Sequence, residues 1–354
     1  MRLATAMELQ ENIALAPLTT LRVGGSARYF VCAGSVEDVE AAVSFAEERN
    51  LPLFVLGGGS NVLVSDSGWP GLVLQIGISG IGHTHERETI RLLVGAGEDW
   101  DPFVAFCVTR HLAGVECLSG IPGSVGATPV QNVGAYGQEV SQTIASVLVF
   151  DLTDKQVREM DAADCEFGYR CSLFNARERG RYIILRVTYE VRAGGAPSLR
   201  YADLQKYFAD RNEAPTLAEV RKAVLKIRAS KGMLITPDDP DSRSAGSFFK
   251  NPVLTTAQFD DVVQRARERD LQVPSYPASS QQKKISAAWL VENSGFAKGF
   301  TKGRAGISGK HALALVNRGD ASAGEIIALK DEIQNQVDAT WGIKLEPEPV
   351  LVGF

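Results

Sequence analysis

The sequence predicts an α+β fold of two or three domains, and three observations support this. The chain has 354 residues, more than a single hydrophobic core usually organises. Apolar residues make up 45% and charged residues 22%, which is typical of a globular protein that buries a large core. Strand and helix signals alternate along the first third, and a polar stretch at residues 236–244 then marks a boundary. We therefore expect an N-terminal α+β region followed by a separate C-terminal domain.

The first third opens with a strand and an amphipathic helix. Residues 28–32 predict the strand. Ser35 begins the helix, with Asp38 three residues later as an approximate capping box. Apolar residues recur in this helix at Val36, Val39, Val43 and Ala46. This period indicates a helix that packs on a core through one face.

Short apolar runs after this helix predict further strands. They are residues 51–56, 62–64, 72–76 and 90–94. The sequence Gly-Gly-Gly-Ser-Asn at residues 57–61 lies between the first two runs, so a glycine loop should join two strands. Residues 100–112 predict a helix.

The rest of the chain predicts longer elements. Strands are expected at residues 146–151 and 182–191, and helices at residues 216–229, 256–270, 286–294 and 322–340. Thr216 with Glu219, and Ser322 with Glu325, have the spacing of capping boxes. Residues 344–354 look extended, but two prolines confine them to a sheet edge.

Charge and hydropathy argue against nucleic-acid and membrane partners. The net charge is −5, and no long basic run interrupts the sequence. No stretch reaches the roughly 18 apolar residues that a membrane-spanning helix needs. Residues 1–20 lack the apolar core of a signal peptide, so we expect a cytoplasmic protein.

Cysteine and histidine usage predicts no metal site. The chain has five cysteines and four histidines; the cysteines are scattered and form no CxxC pair, and the few histidines leave little from which to build a metal site. The cysteines are Cys32, Cys107, Cys117, Cys165 and Cys171. We expect each to be a small buried apolar residue in a reducing compartment.

Two glycine-rich segments could hold a cofactor. The first is residues 57–61, whose consecutive glycines let backbone N–H groups converge on an anion; a tight strand-to-strand turn explains it equally well. The second is residues 119–137, which contain two prolines and no charged residue. Such a loop either fills a domain interface or lies along something large and partly apolar. Two such loops together favour a dinucleotide.

Polar groups in two other segments could carry chemistry. Residues 246–252, Gly-Ser-Phe-Phe-Lys-Asn-Pro, present Ser247 on a tight turn beside an aromatic anchor. Ser247 could donate a proton, but no histidine is adjacent in the sequence to activate it as a nucleophile. Residues 345–349, Leu-Glu-Pro-Glu-Pro, place two carboxylates on a rigid segment, although two solvated charges on an edge strand would give the same pattern.

Taken together, these segments resemble the UDP-N-acetylenolpyruvoylglucosamine reductase family. The matching pieces in chain order are residues 19–25 (TTLRVGG), 57–63 (GGGSNVL), 120–137 (GIPGSVGATPVQNVGAYG), 167–170 (FGYR), 246–252 (GSFFKNP), 288–290 (AWL) and 345–348 (LEPE). They span nearly the whole chain in family order. Tyr201, within residues 200–204 (RYADL), resembles the extra tyrosine loop of the type I members.

The resemblance implies a fold and a division of the chain. It implies two FAD-binding α+β subdomains of the vanillyl-alcohol-oxidase (PCMH) type and a C-terminal α+β substrate domain. The first subdomain would comprise residues 1–78 and 344–354, the second residues 79–232, and the substrate domain residues 233–343. The boundary near residue 236, read from composition, agrees with this division.

The resemblance also implies which residues bind the cofactor and the substrate. FAD would lie along the two glycine loops, with Arg228 near its pyrophosphate. The implied cofactor-binding residues are Gly57, Gly58, Gly59, Ser60, Asn61, Ser119, Gly123, Ala127, Val130, Gly134 and Arg228. The implied substrate-binding residues are Tyr136, Tyr201, Lys231 and Asn251, with Lys231 suited to a diphosphate.

The family mechanism implies NADPH as the hydride donor and a UDP-sugar enolpyruvate as the substrate. Hydride addition to the enol ether builds negative charge that the protein must stabilise and then protonate. The resemblance assigns proton donation to Ser247, and it makes Arg170 and Glu348 the charged partners of the substrate carboxylate and enolate. The product belongs to peptidoglycan synthesis. The UDP-sugar is the partner we expect, without nucleic acid or membrane, and we expect a monomer.

Two alternative functions stay open at this point. One is an FAD-dependent oxidase of the same fold that acts on another small substrate. The other is a nucleotide-sugar-binding or regulatory protein without turnover, although Arg170, Ser247 and Glu348 together argue against it. Cys117 and Cys171 depart from the family pattern close to the assigned segments, which affects local geometry rather than the assigned chemistry.

Overall fold

The computed structural model describes residues 7–86, 89–279 and 282–354, and residues 1–6, which begin the N-terminal stretch considered above, lie outside this part. The α-helices are α1 (Val36–Glu48), α2 (Trp100–Thr109), α3 (Ala202–Tyr207), α4 (Leu217–Ser230), α5 (Thr256–Arg267), α6 (Ala287–Glu292) and α7 (Ala323–Trp341). The strands are β1 (Gln10–Ala14), β2 (Ser26–Ala33), β3 (Leu53–Leu56), β4 (Val62–Val64), β5 (Trp69–Ile76), β6 (Ile81–Glu86), β7 (Thr89–Gly95), β8 (Leu112–Ala113), β9 (Gly134–Ala135), β10 (Gln138–Glu139), β11 (Ile144–Asp151), β12 (Gln156–Asp161), β13 (Tyr182–Ala193), β14 (Val253–Thr255), β15 (Ser275–Ser279), β16 (Gln282–Ile285), β17 (Thr301–Lys302), β18 (Ala305–Ile307), β19 (Leu315–Asn317) and β20 (Val350–Val352).

Two sheets build the first of two compact units. This unit comprises Ala27–Gly59 and Trp69–Leu234, together with the segment that ends at Ile13. One sheet has the strand order β1-β2-β5-β3, with β5 parallel to both β2 and β3. The other has the order β12-β11-β13-β7-β6, is antiparallel, and takes β8 as an extra partner of β13.

A single hydrophobic core joins both sheets of the first unit to two helices. Val39 and Val43 of α1 and Trp100 and Phe103 of α2 belong to it, together with inward-facing residues of β2, β5, β7, β11 and β13. Tyr189 of β13 is fully buried against the two aromatic rings of α2. Both glycine loops therefore begin from strands or helices whose positions a large core fixes.

The second unit has its own core. It comprises Ala14–Ser26, Ser60–Gly68 and Ile235–Phe354. Its sheets have the orders β14-β16-β15 and β17-β18-β19, and β20 pairs in parallel with β4. Apolar residues of α5, α6 and α7 pack with Phe248 and Phe249 in this core.

Most of the predicted helices and strands are confirmed, with small boundary differences. Ser35, Thr216 and Ser322 each cap a helix in a complete capping box, as the spacing predicted. The helix predicted over residues 100–112 ends at Thr109, because the chain turns and Leu112 enters a short strand against β13. The C-terminal extended segment forms only β20.

The predicted three-part division of the chain stays a prediction beside these two units. The chain does pair its last strand, β20, with β4, which lies within residues 1–78. Among the described residues, none of the helices combines the length and the apolar character of a membrane span.

A buried carboxylate fixes the end of β11. Asp151 is fully buried and accepts hydrogen bonds from Arg181 Nη2 at 2.9 Å and from the backbone N–H of Thr153 at 2.9 Å. Arg158 Nη2 lies 2.8 Å from the same carboxylate. The hydrogen bonds from Arg181 lower the pKa of Asp151 to about 2, against the effect of burial. Asp151 therefore ties the β11–β12 turn to the start of β13.

Replacing Asp151 with asparagine should destabilise the protein by about 2 kcal/mol at pH 7, because folding lowers the pKa of this carboxyl from 3.8 to about 2 and a neutral amide loses that stabilisation. The matched variant Asp154→Asn, at a half-exposed position of the same turn, should cost no more than about 1 kcal/mol. Urea unfolding measures both. Because the folded pKa of Asp151 lies below its ordinary value, its stabilising effect is present above pH ~4 and is lost as pH falls towards 2. An Asp151→Asn free energy of unfolding equal to that of the wild type at pH 7 would exclude this role.

Candidate active site

The two glycine loops lie directly against each other in the first unit. A Cβ built on Gly58 would stand 2.6 Å from the Cα of Gly123, and one on Gly57 would stand 2.8 Å from Ser124 Oγ. Position 58 requires glycine because its Cβ would meet backbone, whereas at position 57 the obstacle is the Ser124 hydroxyl. Gly59 follows in the left-handed region, with φ 64°. The absence of Cβ atoms thus brings two layers of backbone together, which is more than a tight turn alone needs.

The second loop, residues 119–137, is fixed by the start of α2 and the residues before it. Trp100 donates its backbone N–H to the carbonyl of Gly123 at 3.0 Å, and Gly126 donates to Ala96 at 2.8 Å. Ala127 closes a short 3₁₀ turn that follows this contact. The predicted cofactor residues Gly123 and Ala127 are thereby held beside the first loop.

Three other residues predicted to bind the cofactor, Ser119, Val130 and Gly134, have structural positions in the second loop. Ser119 is fully buried, and its hydroxyl donates to the carbonyl of Glu116 at 2.6 Å. The carbonyl of Val130 accepts a hydrogen bond from Ser172 Oγ at 2.6 Å. Gly134 opens the short strand β9. Contacts from these three residues to a cofactor therefore stay a prediction.

Ser60 and Asn61 continue the first loop into the second unit. The carbonyl of Ser60 accepts from Thr20 Oγ1 at 3.4 Å. Asn61 Nδ2 donates to the carbonyl of Glu348 at 3.3 Å, and the carbonyl of Asn61 accepts from the N–H of Val350 at 2.9 Å. The loop residue Asn61 thus holds the backbone of a predicted catalytic residue.

Arg228 is a buried cation beside the second loop. It is 6% exposed, and it donates to the carbonyls of Gly120 at 3.1 Å and Met233 at 2.7 Å. Burial lowers its pKa, and the nearby Tyr136 opposes that effect. Within the described residues no carboxylate lies within ion-pair distance of Arg228, since Asp101 pairs with another arginine. A buried guanidinium with only neutral acceptors fits an anionic ligand such as the pyrophosphate of FAD.

Three of the predicted substrate-binding residues come together near Arg228. The rings of Tyr136 and Tyr201 meet edge-on, with centroids 5.4 Å apart, and Lys231 Nζ lies 5.9 Å from the Tyr136 centroid. Lys231 also donates to Asp203 Oδ2 at 2.7 Å. Burial alone would lower the pKa of Lys231, but Asp203 raises it above the ordinary value, so Lys231 is cationic at neutral pH. Burial raises the pKa of Tyr136, which keeps its hydroxyl protonated.

Arg170 stands on a tight turn with a left-handed backbone, φ 54°. Gly168 and Cys171 exchange backbone hydrogen bonds across this turn, at 2.9 and 3.2 Å. Arg170 Nη2 donates to the carbonyl of Gly134 at 2.9 Å. The predicted catalytic arginine is therefore attached to the second glycine loop.

Two asparagines hold this turn. Asn132, which is 1% exposed, donates to the carbonyl of Gly168 at 3.0 Å and to Glu139 at 2.9 Å. Asn175 donates to the carbonyl of Arg170 at 3.2 Å. The turn that carries Arg170 is thus fixed from both of its ends by side-chain amides.

Ser247 and Glu348 lie on adjacent segments of the second unit. Glu348 donates its N–H to the carbonyl of Phe248 at 2.9 Å, and Phe249 pairs with Pro347 as an antiparallel bridge. Phe248 and Phe249 are buried in the core. The aromatic pair therefore anchors the segment, as the sequence predicted, while the proposed proton donor precedes it.

A histidine contacts the hydroxyl of Ser247. His311 Nε2 lies 2.9 Å from Ser247 Oγ. No histidine is adjacent to Ser247 in the sequence, but folding brings one to it from a distant position. Asn251, predicted to bind substrate, accepts a hydrogen bond from the N–H of Ala287, the first residue of α6, at 2.9 Å.

The sequence did not indicate four residues that contact the predicted site residues or hold their backbone. They are Asn132, Asn175, Asp203 and His311. Asn132 lies inside a recognised motif, and its lack of exposure could not be read from the sequence. His311 is one of four histidines, which is the one signal that could have drawn attention to it.

Fold and cofactor chemistry together define a class of enzyme. Residues 27–159 match a family model described as "FAD binding domain". This match covers both glycine loops, so the chain is an FAD-dependent oxidoreductase of α+β fold, and the predicted FAD cofactor is confirmed.

The chain belongs to the UDP-N-acetylenolpyruvoylglucosamine reductase family. Residues 238–352 match the model of this family's C-terminal domain. A reductase of this name from Thermobifida fusca is 45% identical over 97% of each chain, and one from Streptomyces avermitilis is 43% identical over 99% of this chain and 97% of its own. The solved structure of the UDP-N-acetylenolpyruvylglucosamine reductase of Thermus caldophilus has the same fold, with a TM-score of 0.67, 24% identity and coverage of 98% of this chain and 99% of that one.

Replacing Gly58 with alanine should weaken FAD binding. The new Cβ would meet the backbone of Gly123 at 2.6 Å, and overpacking of this kind costs about 1–3 kcal/mol. We expect the FAD dissociation constant to rise about tenfold, measured by quenching of flavin fluorescence. Gly34→Ala is the matched control, because the nearest atom to its Cβ would be 3.8 Å away. Unchanged FAD affinity in Gly58→Ala would show that the loops can separate without affecting the cofactor.

The pairing of Lys231 with Asp203 predicts opposite effects of two substitutions on UDP binding. Lys231→Met should weaken binding about tenfold by removing a cation, whereas Asp203→Asn should strengthen it about two- to fivefold by releasing Lys231 from its partner. Asp210→Asn, a fully exposed site with the same charge change, is the control. Calorimetric titration with UDP at low and high salt measures these effects, which should shrink as salt screens them. Weaker UDP binding in Asp203→Asn would contradict the prediction that Asp203 and UDP compete for Lys231.

Proposed function

We propose that this chain reduces the enolpyruvyl group of UDP-N-acetylglucosamine enolpyruvate to give UDP-N-acetylmuramate, with NADPH as the hydride donor. This is the reaction expected of its family, and it serves peptidoglycan synthesis. Bound FAD would supply the hydride transfer, from NADPH to the terminal carbon of the enol-ether double bond. The alternative of an oxidase acting on another small substrate is not favoured.

The single observation that carries the residue assignments is the backbone pairing of residues 248–250 with residues 346–348. Glu348 is hydrogen-bonded to the carbonyl of Phe248, the residue that follows Ser247, and Phe248 and Phe249 anchor this segment in the core. Hydride addition leaves negative charge on the carbon beside the substrate carboxylate. We propose that Ser247 protonates this carbon and that Glu348 is a charged partner of the enolate.

Arg170 is proposed to bind the substrate carboxylate. Its guanidinium is planar and permanently charged, which suits a carboxylate that gains enolate character as the reaction proceeds. The hydrogen bond to Gly134 and the two asparagines that hold its turn support this role, because they orient the side chain before substrate arrives.

Lys231, Tyr136 and Tyr201 are proposed to hold the diphosphate and its neighbourhood. Their mutual contacts and the positive charge of Lys231 support this assignment. Asn251 is proposed to contact substrate. The residues proposed to contact FAD are Gly57, Gly58, Gly59, Ser60, Asn61, Ser119, Gly123, Ala127, Val130, Gly134 and Arg228.

We propose that the enzyme acts as a cytoplasmic monomer on a small-molecule substrate. The nucleotide-sugar chemistry supports that location. For the domains, we propose an FAD-binding subdomain of residues 1–78 and 344–354, a second of residues 79–232 and a substrate domain of residues 233–343. The pairing of β20 with β4 supports the inclusion of the C-terminal strand in the first of these.

The test of the function separates its two half-reactions under anaerobic conditions. NADPH should reduce the bound flavin, and, after removal of excess NADPH, UDP-N-acetylglucosamine enolpyruvate should reoxidise it. Absorbance of the flavin reports both steps. Flavin that is reduced but reoxidised by oxygen alone would favour the oxidase instead.

Ser247→Ala should separate the two half-reactions. The variant should retain NADPH-dependent flavin reduction within about twofold and lose about 10²–10⁴-fold in substrate turnover, the range for loss of a general acid. Ser44→Ala, which removes the same atom from the exposed side of α1, should leave both steps unchanged. Wild-type turnover in Ser247→Ala would remove Ser247 from the mechanism.

A further inference from the structure

We propose that His311 is a positioning residue for Ser247, and that its Nε2–H donates a hydrogen bond to Ser247 Oγ. This bond directs the serine proton towards the substrate and stabilises the oxygen as that proton leaves. The inference rests on the proposed function, because it assumes that Ser247 is the proton donor and adds His311 as its partner.

The contact between the two side chains admits two arrangements. A serine hydroxyl has one proton and two lone pairs, and a neutral imidazole has one donor and one acceptor nitrogen. If Nε2 accepts, the serine proton points at the ring and is withheld from the substrate. If Nε2–H donates across the 2.9 Å separation, the serine proton is free to point elsewhere. Only the second arrangement suits a proton donor.

The backbone holds His311 in place before any substrate binds. Its carbonyl accepts from the N–H of Ala314 at 3.1 Å, and Ser308 closes the same loop by donating to Ala314 at 2.8 Å. The next residue but one, Leu313, accepts from the N–H of Phe248 at 2.8 Å. The histidine loop and the Ser247 segment are therefore joined by main-chain bonding as well as by the side-chain contact.

Charged residues fix the other side of this loop. Asp241 is 7% exposed and accepts from the N–H of Gly309 at 3.2 Å, while Lys310 pairs with Asp239 at 2.6 Å. The backbone position of His311 is thus set by hydrogen bonds on both sides of its loop and not by the Ser247 contact alone, which is the arrangement expected of a preorganised donor.

The chemical step balances with one solvent proton. Hydride reaches the terminal carbon, and the electron pair of the double bond moves to the neighbouring carbon. A C–H bond forms there as the O–H bond of Ser247 breaks, and the electron pair of that O–H bond remains on Oγ. The Nε2–H of His311 stabilises this oxyanion, and a proton from solvent then restores the hydroxyl.

The tautomer of His311 can be measured without turnover. In the oxidised holoenzyme labelled with ¹⁵N-histidine, two-bond ¹H–¹⁵N correlations identify the protonated ring nitrogen, and the His311→Gln spectrum identifies which signals belong to His311. We expect Nε2 to carry the proton. A neutral ring protonated at Nδ1 would overturn the proposal.

Kinetics then tests the role through Ser247. His311→Ala should slow reoxidation of the reduced flavin by the UDP-sugar enolpyruvate about 10²-fold, the effect of losing one donor to a developing oxyanion, with flavin reduction by NADPH within about twofold. His311→Gln, whose amide can donate from nearly the same place, should recover most of the rate. The double variant Ser247→Ala/His311→Ala should be no slower than Ser247→Ala.

Three results would overturn the inference. They are effects of the two single substitutions that multiply in the double variant, a His311→Gln rate as low as that of His311→Ala, and equal slowing of both half-reactions. The wild-type experiment keeps the two proposals apart. If the wild type fails to reoxidise with the UDP-sugar, the proposed function fails; if it succeeds and His311→Ala matches it, only the role of His311 fails.

Discussion

The shape of the first unit's site depends on satisfying the backbone of a loop that has no charged side chain of its own. Residues 119–137 carry no charge, and buried N–H and C=O groups must find partners. Four of those partners come from side chains outside the loop. Asp101 accepts from the N–H of Gly120, Ser172 donates to Val130, and Arg228 and Arg170 donate to the carbonyls of Gly120 and Gly134.

The need to satisfy the backbone of this loop also places charged groups beside it. Two of the groups that satisfy the loop are the cations proposed to meet the cofactor and the substrate. Their guanidiniums each have several donors, so one can hold a carbonyl while others face a ligand. Hydrogen bonds from Arg221 and Gly120 lower the pKa of Asp101 against the effect of burial, so its carboxylate stays charged where the loop begins. Charged and polar side chains around an uncharged loop thus add to the hydrogen bonds that the loop makes within itself.

Local signals predicted much of the fold, and distant contacts account for what they missed. Capping residues and helical periods act within a few residues, so α1, α4 and α7 could be located from the sequence. The strands of the second unit are two to five residues long, too short to show an alternating pattern. The early end of α2 depends on β13 accepting Leu112 as a partner, which no local pattern reveals.

The candidate site shows the same contrast between local signals and distant contacts. Motifs and family resemblance supplied the proposed cofactor and substrate residues, and the fold then gave each one its partner. His311 reaches Ser247 across 64 positions and Asp203 reaches Lys231 across 28, separations over which one sequence carries no pairing information. Glycine at 57 and 58 could be read as a turn or a cradle until the second loop was seen against it. Candidate residues could be named from the sequence, whereas their hydrogen-bond partners required the structure.

The left-handed backbone of Arg170 favours glycine or asparagine, whereas the proposed chemistry needs a guanidinium at the same position. Residues with a Cβ lose about 1–2 kcal/mol in this region, and glycine or asparagine would lose less. The chain keeps arginine there, held by Asn132 and Asn175. If Arg170 binds substrate as proposed, the most stable polypeptide and the most active one would differ in sequence at this position. A screen that selects only for resistance to heat would favour changes that remove the guanidinium.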